Sequence, residues 1–237
     1  MTTGQPTLES LPPAAAGVCR TVWVRHGETD WNLVKRYQGQ LDIPLNAHGR
    51  RQADLLARRL ADGTFRPAAI YSSDLSRAHE TAKAIALALQ QPCVCDEALR
   101  ERHFGCFAGC VAAEMLVSDP IAASGLLTRS TEAELPGGES LGRFHARIVA
   151  VLAKLVERHL GQTILVVSHG GILDSVYRHA NSLELQPARD WPILNTSVNV
   201  VDYEAQATAQ NRAAVRCWGD VEHLQRAASR TLDEIDR

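Results

Sequence analysis

Thr21-Val22-Trp23-Val24-Arg25-His26-Gly27 and, far downstream, Thr163-Ile164-Leu165-Val166-Val167-Ser168-His169-Gly170-Gly171 share one pattern. Each is an apolar, β-branched run halted by a histidine and a glycine, which reads as a buried strand ending in a turn. Helical and strand periods alternate between them. After Asn46, the positions Ala53, Leu56, Ala57 and Leu60 fall at helical spacing, with arginines opposite and Gly63 as a stop. Behind Pro67, residues 69–73 predict a second strand. Ala78, Ala82, Ile85 and Leu89 then predict a second helix, with Ser76 as its N-cap.

Residues 93–96 predict a third strand, and 102–136, which carry Pro120, Gly125 and Pro136, predict an irregular excursion with some short helix. Phe144, Ile148, Val151, Leu152, Leu155 and Val156 mark a long amphipathic helix over 140–159, closed by Gly161. Another helix is expected over 172–180, and closing strands over 195–203 and 213–218. Strands alternating with helices of this length predict an α/β fold in three layers, a mostly parallel sheet with helices on both faces. In such sheets the ligand crevice lies at the carboxyl ends of the strands, so His26 and His169 are expected in one place. Arg25 precedes the first histidine, Arg77 follows the second strand and Glu101 the third. Two cations, two imidazoles and one carboxylate suit an anion together with a proton donor.

The 237 residues are 45% hydrophobic and 22% charged, enough for one sizeable core. Twenty-five Lys and Arg against 27 Asp and Glu give no basic excess, so nucleic acid and membrane surfaces are not expected partners. No apolar run approaches the roughly 20 residues of a membrane helix. Residues 1–19 lack a basic segment and a continuous apolar segment. They read as a flexible leader rather than a signal peptide, with 20–220 as a single domain, 221–237 as a polar tail and the cytoplasm as location. Six cysteines are too few for a disulfide scaffold, and Cys93, Cys95, Cys106 and Cys110 with His103 match no zinc-knuckle spacing. Gly137-Gly138 lacks the lysine and Ser/Thr of a phosphate loop. No metal and no cofactor are expected, and a homodimer is left open.

An arginine fork meets two phosphoryl oxygens at once, and each charge-assisted bond contributes roughly 1.5–3 kcal/mol, so two arginines can hold a phosphate without metal. A histidine is nucleophilic when neutral, and adjacent guanidinium charges lower its pKa.

Val24-Arg25-His26-Gly27-Glu28-Thr29 with Trp31-Asn32 begins a longer series. It continues through Leu45-Asn46-Ala47-His48-Gly49-Arg50-Arg51-Gln52-Ala53, Tyr71-Ser72-Ser73-Asp74-Leu75-Ser76-Arg77-Ala78 and Leu99-Arg100-Glu101. Pro136-Gly137-Gly138-Glu139-Ser140, Val167-Ser168-His169-Gly170-Gly171 and Asn195-Thr196-Ser197 complete it. In this order the set resembles the histidine phosphatase superfamily, the phosphoglycerate mutase-like proteins. The resemblance implies their three-layer fold and a phosphohistidine formed when His26 attacks phosphorus. It also implies that Arg25, Arg77 and His169 surround the phosphoryl oxygens and that Asn32 is a further phosphate ligand. Glu101 is implied as the general acid for the leaving group and then the base for water. Gly27 is implied to let the backbone pass close beneath the anion.

Phosphatases and mutases of this family share the first step and differ in how far the phosphohistidine is shielded. Segment 102–136 has Arg102 and Arg129 as its only Lys or Arg residues, opposed by Glu114, Asp119, Glu132 and Glu134. So mildly acidic a cover suits a wetter site and net hydrolysis. Glu101-Arg102-His103-Phe104-Gly105, in contrast, resembles the mutase form of the motif. The reading is a metal-independent phosphomonoester hydrolase acting on small phosphorylated metabolites. The alternatives are a phosphoglycerate mutase and, more remotely, a phosphate-binding module without turnover. Specificity is expected from 102–136 and from the loop around 187–195.

Overall fold

A computed structural model describes residues 6–63, 65–204 and 213–235. In chain order the elements are β1 (Val18–Arg25), α1 (Asp30–Leu33), α2 (Ala47–Asp62), β2 (Ala69–Ser72), α3 (Ser76–Leu89) and β3 (Cys93–Cys95). Then come α4 (Ala112–Ser118), α5 (Pro120–Leu127), α6 (Leu141–Arg158), β4 (Thr163–Ser168), α7 (Gly170–Ala180), β5 (Val198–Glu204), β6 (Ala213–Asp220) and α8 (Glu222–Ile235). The six strands form one sheet in the order β3-β2-β4-β1-β5-β6. Pairs β3–β2, β2–β4 and β4–β1 are parallel, whereas β1–β5 and β5–β6 are antiparallel. Only β5 therefore runs against the rest, and the mostly parallel sheet expected from sequence is present.

Period-two alternation in the central strands splits their side chains between two cores. Val22, Val24, Leu165 and Val167 pack with Leu56, Leu60, Ala78, Ala82 and Ile85 of α2 and α3. Trp23, Ile164 and Val166 turn the other way, onto Phe144, Ile148 and Leu152 of α6 and Ile172, Leu173 and Val176 of α7. Burial on both faces explains why these strands read as unbroken apolar runs. The excursion has its own small cluster of Phe107, Met115, Ala123, Leu126 and Leu135.

Helix starts follow side-chain chemistry. The Asn46 carboxamide accepts the Gly49 N–H at 2.8 Å, and Ser140 Oγ accepts the Arg143 N–H at 3.2 Å. Helix α3 corrects the sequence reading: Leu75 is its N-cap, Ser76 is the first helical residue, and Ser76 Oγ has no partner. The Ser76 N–H is taken instead by the Asp42 carboxylate at 2.7 Å, so a residue from another loop does the capping. Helix α6 ends at Arg158 with His159 as its cap, and Gly161, at φ 76°, turns the chain toward β4.

Of the leader, residues 1–5 lie outside the described residues. Leu8 is buried, its N–H donating to Asp220, and Glu9 bonds Arg59, which also pairs with Asp220 at 2.7 Å. Of the tail, residues 222–235 form α8 against α2, with 236–237 outside the described residues. Among the described residues no helix is long and apolar enough to cross a membrane.

Candidate active site

Since β1, β2, β3 and β4 are mutually parallel, their carboxyl ends share one edge of the sheet. His26 follows β1, Arg77 sits in the first turn of α3 behind β2, Glu101 comes after β3, and His169 follows β4. The ends are tied together: the His26 N–H donates to the Ser168 carbonyl at 2.9 Å, and Ser168 Oγ donates to the Leu99 carbonyl at 2.8 Å. They open on a cleft of about 640 Å³, walled in part by Arg25, His26, Asn32, Arg77 and Glu101.

His26 is 3% exposed, and its Nδ1 lies 2.6 Å from the Gly27 carbonyl. A carbonyl only accepts, so Nδ1 carries the proton and Nε2 keeps its lone pair. Burial, then the charges of Arg77 and Arg25, hold the imidazole well below its ordinary pKa, with the Gly27 bond acting in the opposite sense. The ring is therefore neutral at neutral pH, the state that nucleophilic attack needs.

His169 lies behind the cleft wall with its ring centroid 5.3 Å from that of His26. It is fully buried, and neither ring nitrogen has a protein partner. Burial and the nearby Arg77 and His26 hold its pKa well below the usual value too. The backbone of His169 caps α7.

Both arginines are committed on one side. Arg77 donates to the Gly39 and Leu41 carbonyls at 2.7 and 2.8 Å, and Arg25 to the Ile193 carbonyl at 2.8 Å, while each Nε is buried without a partner. Burial pushes each guanidinium down to about 10, so both remain cations at neutral pH. Unpartnered buried donors cost about 1–3 kcal/mol each, so the two arginine Nε–H groups and the single N–H of the neutral His169 ring carry a cost that hydrogen bonds to an anion would lower.

Glu101 is clamped. Its carboxylate accepts the Arg102 N–H at 2.8 Å and the Gly171 N–H at 2.9 Å, the latter from the positive end of α7. A Cβ at Gly171 would collide with this carboxylate, so the glycine leaves room for the acid. Asn32 caps α1 with Thr29, its Oδ1 accepting the Thr29 N–H at 3.0 Å, and its amide lies on the cleft wall.

Gly27 has a steric reason to be glycine that the sequence did not show: a Cβ there would lie 2.5 Å from the Gly49 carbonyl oxygen, so the glycine admits the backbone of α2. Thr81 of α3 holds the same turn, with Oγ1 accepting the Gly27 N–H at 3.0 Å. The two cations of the excursion also face elsewhere. Arg129 pairs with Asp174 at 2.7 Å, and Arg102 lies over Phe104 with its Nε on the Glu139 carbonyl at 3.0 Å. His103 is exposed, and its Nδ1 accepts the Gly105 N–H. The mutase-like form of the motif thus adds neither Arg102 nor His103 to the cleft wall.

Sequence reasoning passed over Lys35, Arg36 and Arg189, which add cations to the cleft wall; Asn195, legible there only as part of a motif, donates its amide to the His26 carbonyl at 2.8 Å. Lys35 and Arg36 stand three and four residues after Asn32, which was a usable signal. Arg189 had none beyond its place in a loop suspected of specificity. Among the described residues no three His, Cys, Asp or Glu gather as metal ligands.

The family model of the histidine phosphatase superfamily (branch 1) matches residues 21–215. The chain is 39% identical to phosphoglycerate mutase-like protein 4 of Arabidopsis thaliana, covering 86% of each chain. It is 38% identical to a metal-independent phosphoserine phosphatase of the same plant, covering 87% of this chain and 84% of the relative. The solved structure of Bacillus stearothermophilus YhfR superposes with a TM-score of 0.77 at 32% identity, over 86% of this chain and 98% of the other. With two neutral, buried histidines held beside paired arginines at the ends of parallel strands, and with this match along most of its length, the chain belongs to the histidine phosphatase superfamily.

Proposed function

We propose that the protein is a metal-independent phosphomonoester hydrolase acting on small phosphorylated metabolites in the cytoplasm, with residues 20–220 working as one domain. The observation that carries the reading is His26: a neutral imidazole whose proton is fixed on Nδ1, flanked by two guanidinium groups at the wall of the cleft. His26 Nε2 attacks phosphorus and forms a phosphohistidine while the ester oxygen departs. Arg25, Arg77, Asn32 and His169 donate to the phosphoryl oxygens as charge develops on them. Glu101 delivers a proton to the leaving oxygen, then takes one from the water that attacks the phosphohistidine and releases phosphate.

The relative named a metal-independent phosphoserine phosphatase supports this reading. So does the excursion, whose cations are turned away from the cleft. The relative named phosphoglycerate mutase-like protein 4 favours a second reading, transfer between phosphoglycerate positions. Hydrolysis of a chromogenic phosphomonoester in excess chelator tests the first, with turnover expected to persist; loss of activity on chelation overturns metal independence. With phosphoglycerates, free phosphate is expected to exceed the isomerised product, and the reverse would establish the mutase.

A further inference from the structure

Residues 193–196, at the end of the α7–β5 loop, hold the carboxyl end of β1 from behind. The Ile193 carbonyl accepts from Arg25 at 2.8 Å, the Thr196 N–H donates to the Arg25 carbonyl at 2.9 Å, and the Asn195 amide donates to the His26 carbonyl at 2.8 Å. The same amide lies 3.4 Å from Asn32 Oδ1. Arg25, His26 and Asn32 are thus set by one short segment that lies outside the cleft wall.

That segment bends at Thr196. Its φ of 55° is left-handed, a conformation that a β-branched residue seldom adopts because Cβ crowds the backbone. Thr196 is fully buried, and its hydroxyl meets the C-terminal helix: Oγ1 lies 3.0 Å from His223 Nε2. His223, 4% exposed, stands in the first turn of α8. That turn is fixed in its own right, since Asp220 accepts the Glu222 N–H at 3.0 Å and pairs with Arg59 of α2 at 2.7 Å. Burial above all pushes the His223 pKa down to about 4, so the ring is neutral at neutral pH and Nε2 can give or take one hydrogen bond. Its Nδ1 has no partner, which leaves the bond to Thr196 as the ring's one hydrogen bond among the described residues.

We infer that His223 is a positioning residue for phosphoryl transfer: by bonding Thr196 it keeps the bend that presses 193–196 onto Arg25 and His26, and so ties the C-terminal helix to the nucleophile. This rests on the hydrolase reading above. His223 touches no substrate. A nucleophile shifted slightly from in-line attack loses rate steeply, so a contact behind the site acts on the reaction.

The test is the single-turnover rate constant for nitrophenolate release from p-nitrophenyl phosphate, with enzyme in saturating excess. Loss of folded protein alone leaves that constant unchanged, whereas a displaced His26 lowers it. His223→Ala is expected to lower it about fivefold or more, and His223→Gln, whose amide reaches the place of Nε2, to return it to within about twofold of wild type. In a Thr196→Gly background, where the left-handed bend needs no support, His223→Ala is expected to cost less than about twofold further. If His223→Ala does not fold, Thr196→Val removes the same hydrogen bond from the other side, and the same loss is expected there. A constant unmoved by these substitutions, a loss that His223→Gln does not repair, or a loss as large in the Thr196→Gly background as in wild type overturns the positioning role while hydrolysis itself stands. No turnover by the wild-type protein overturns the hydrolase reading and this inference together.

Discussion

At the scale of single residues, the site depends on keeping two imidazoles uncharged. His26 and His169 have pKa values depressed by burial and by neighbouring guanidinium groups. A histidine whose folded pKa lies below its unfolded value binds fewer protons folded than unfolded, so acidification favours the unfolded chain. Stability is therefore full above the free-imidazole pKa of about 6.5 and drains away as pH falls below it. His223, pushed down to about 4 mainly by burial, adds to the same slope over the interval from 6.5 to about 4. Two outcomes are expected. In urea unfolding, the midpoint falls progressively on acidification below pH 6.5, less steeply in His26→Ala. In the rate profile, kcat/KM corrected for the substrate's own phosphate ionisation near about pH 6 stays level until well below 6.5. An acid limb at or above 6.5, once so corrected, contradicts a buried neutral nucleophile.

At the scale of elements, helix ends divide into those the sequence could announce and those that other segments supply. Asn46 caps α2 through Gly49 and donates to Glu28 at 3.0 Å, so Asn46→Ala is expected to cost about 1–2 kcal/mol in chemical denaturation. Ser76→Ala is expected to stay within about 0.5 kcal/mol, because Ser76 Oγ bonds nothing and Asp42 already takes the first N–H of α3. Equal losses at both positions would contradict this account of the caps. The strands and long helices were legible because burial is patterned locally, unbroken over six residues of β1 and recurring every third or fourth residue in α6. Asp42 at the start of α3 and Gly49 beneath Gly27 were not legible. Each is set by a through-space approach between segments, and spacing along the chain carries no trace of it.

At the scale of the whole molecule, a mostly parallel sheet buried on both faces fixes where chemistry can occur. Its carboxyl edge is the one place where four strand ends release polar side chains together. That rule made His26, Arg77, Glu101 and His169 legible as one set, although they span more than half the chain. The other cleft cations were less so: Lys35 comes from the turn after α1 and Arg189 from the α7–β5 loop, and neither stands at the end of a strand. Within 102–136, Arg102 bonds the Glu139 carbonyl and Arg129 pairs with Asp174, so the charge of that segment does not set the charge of the cleft. The most direct measurement is to react the protein with a phosphomonoester, quench in alkali where phosphohistidine survives, and map the phosphoryl group by peptide mass spectrometry. The group is expected on His26 and absent in His26→Ala. A phosphoryl group on another side chain, or turnover that continues in His26→Ala, would contradict the account.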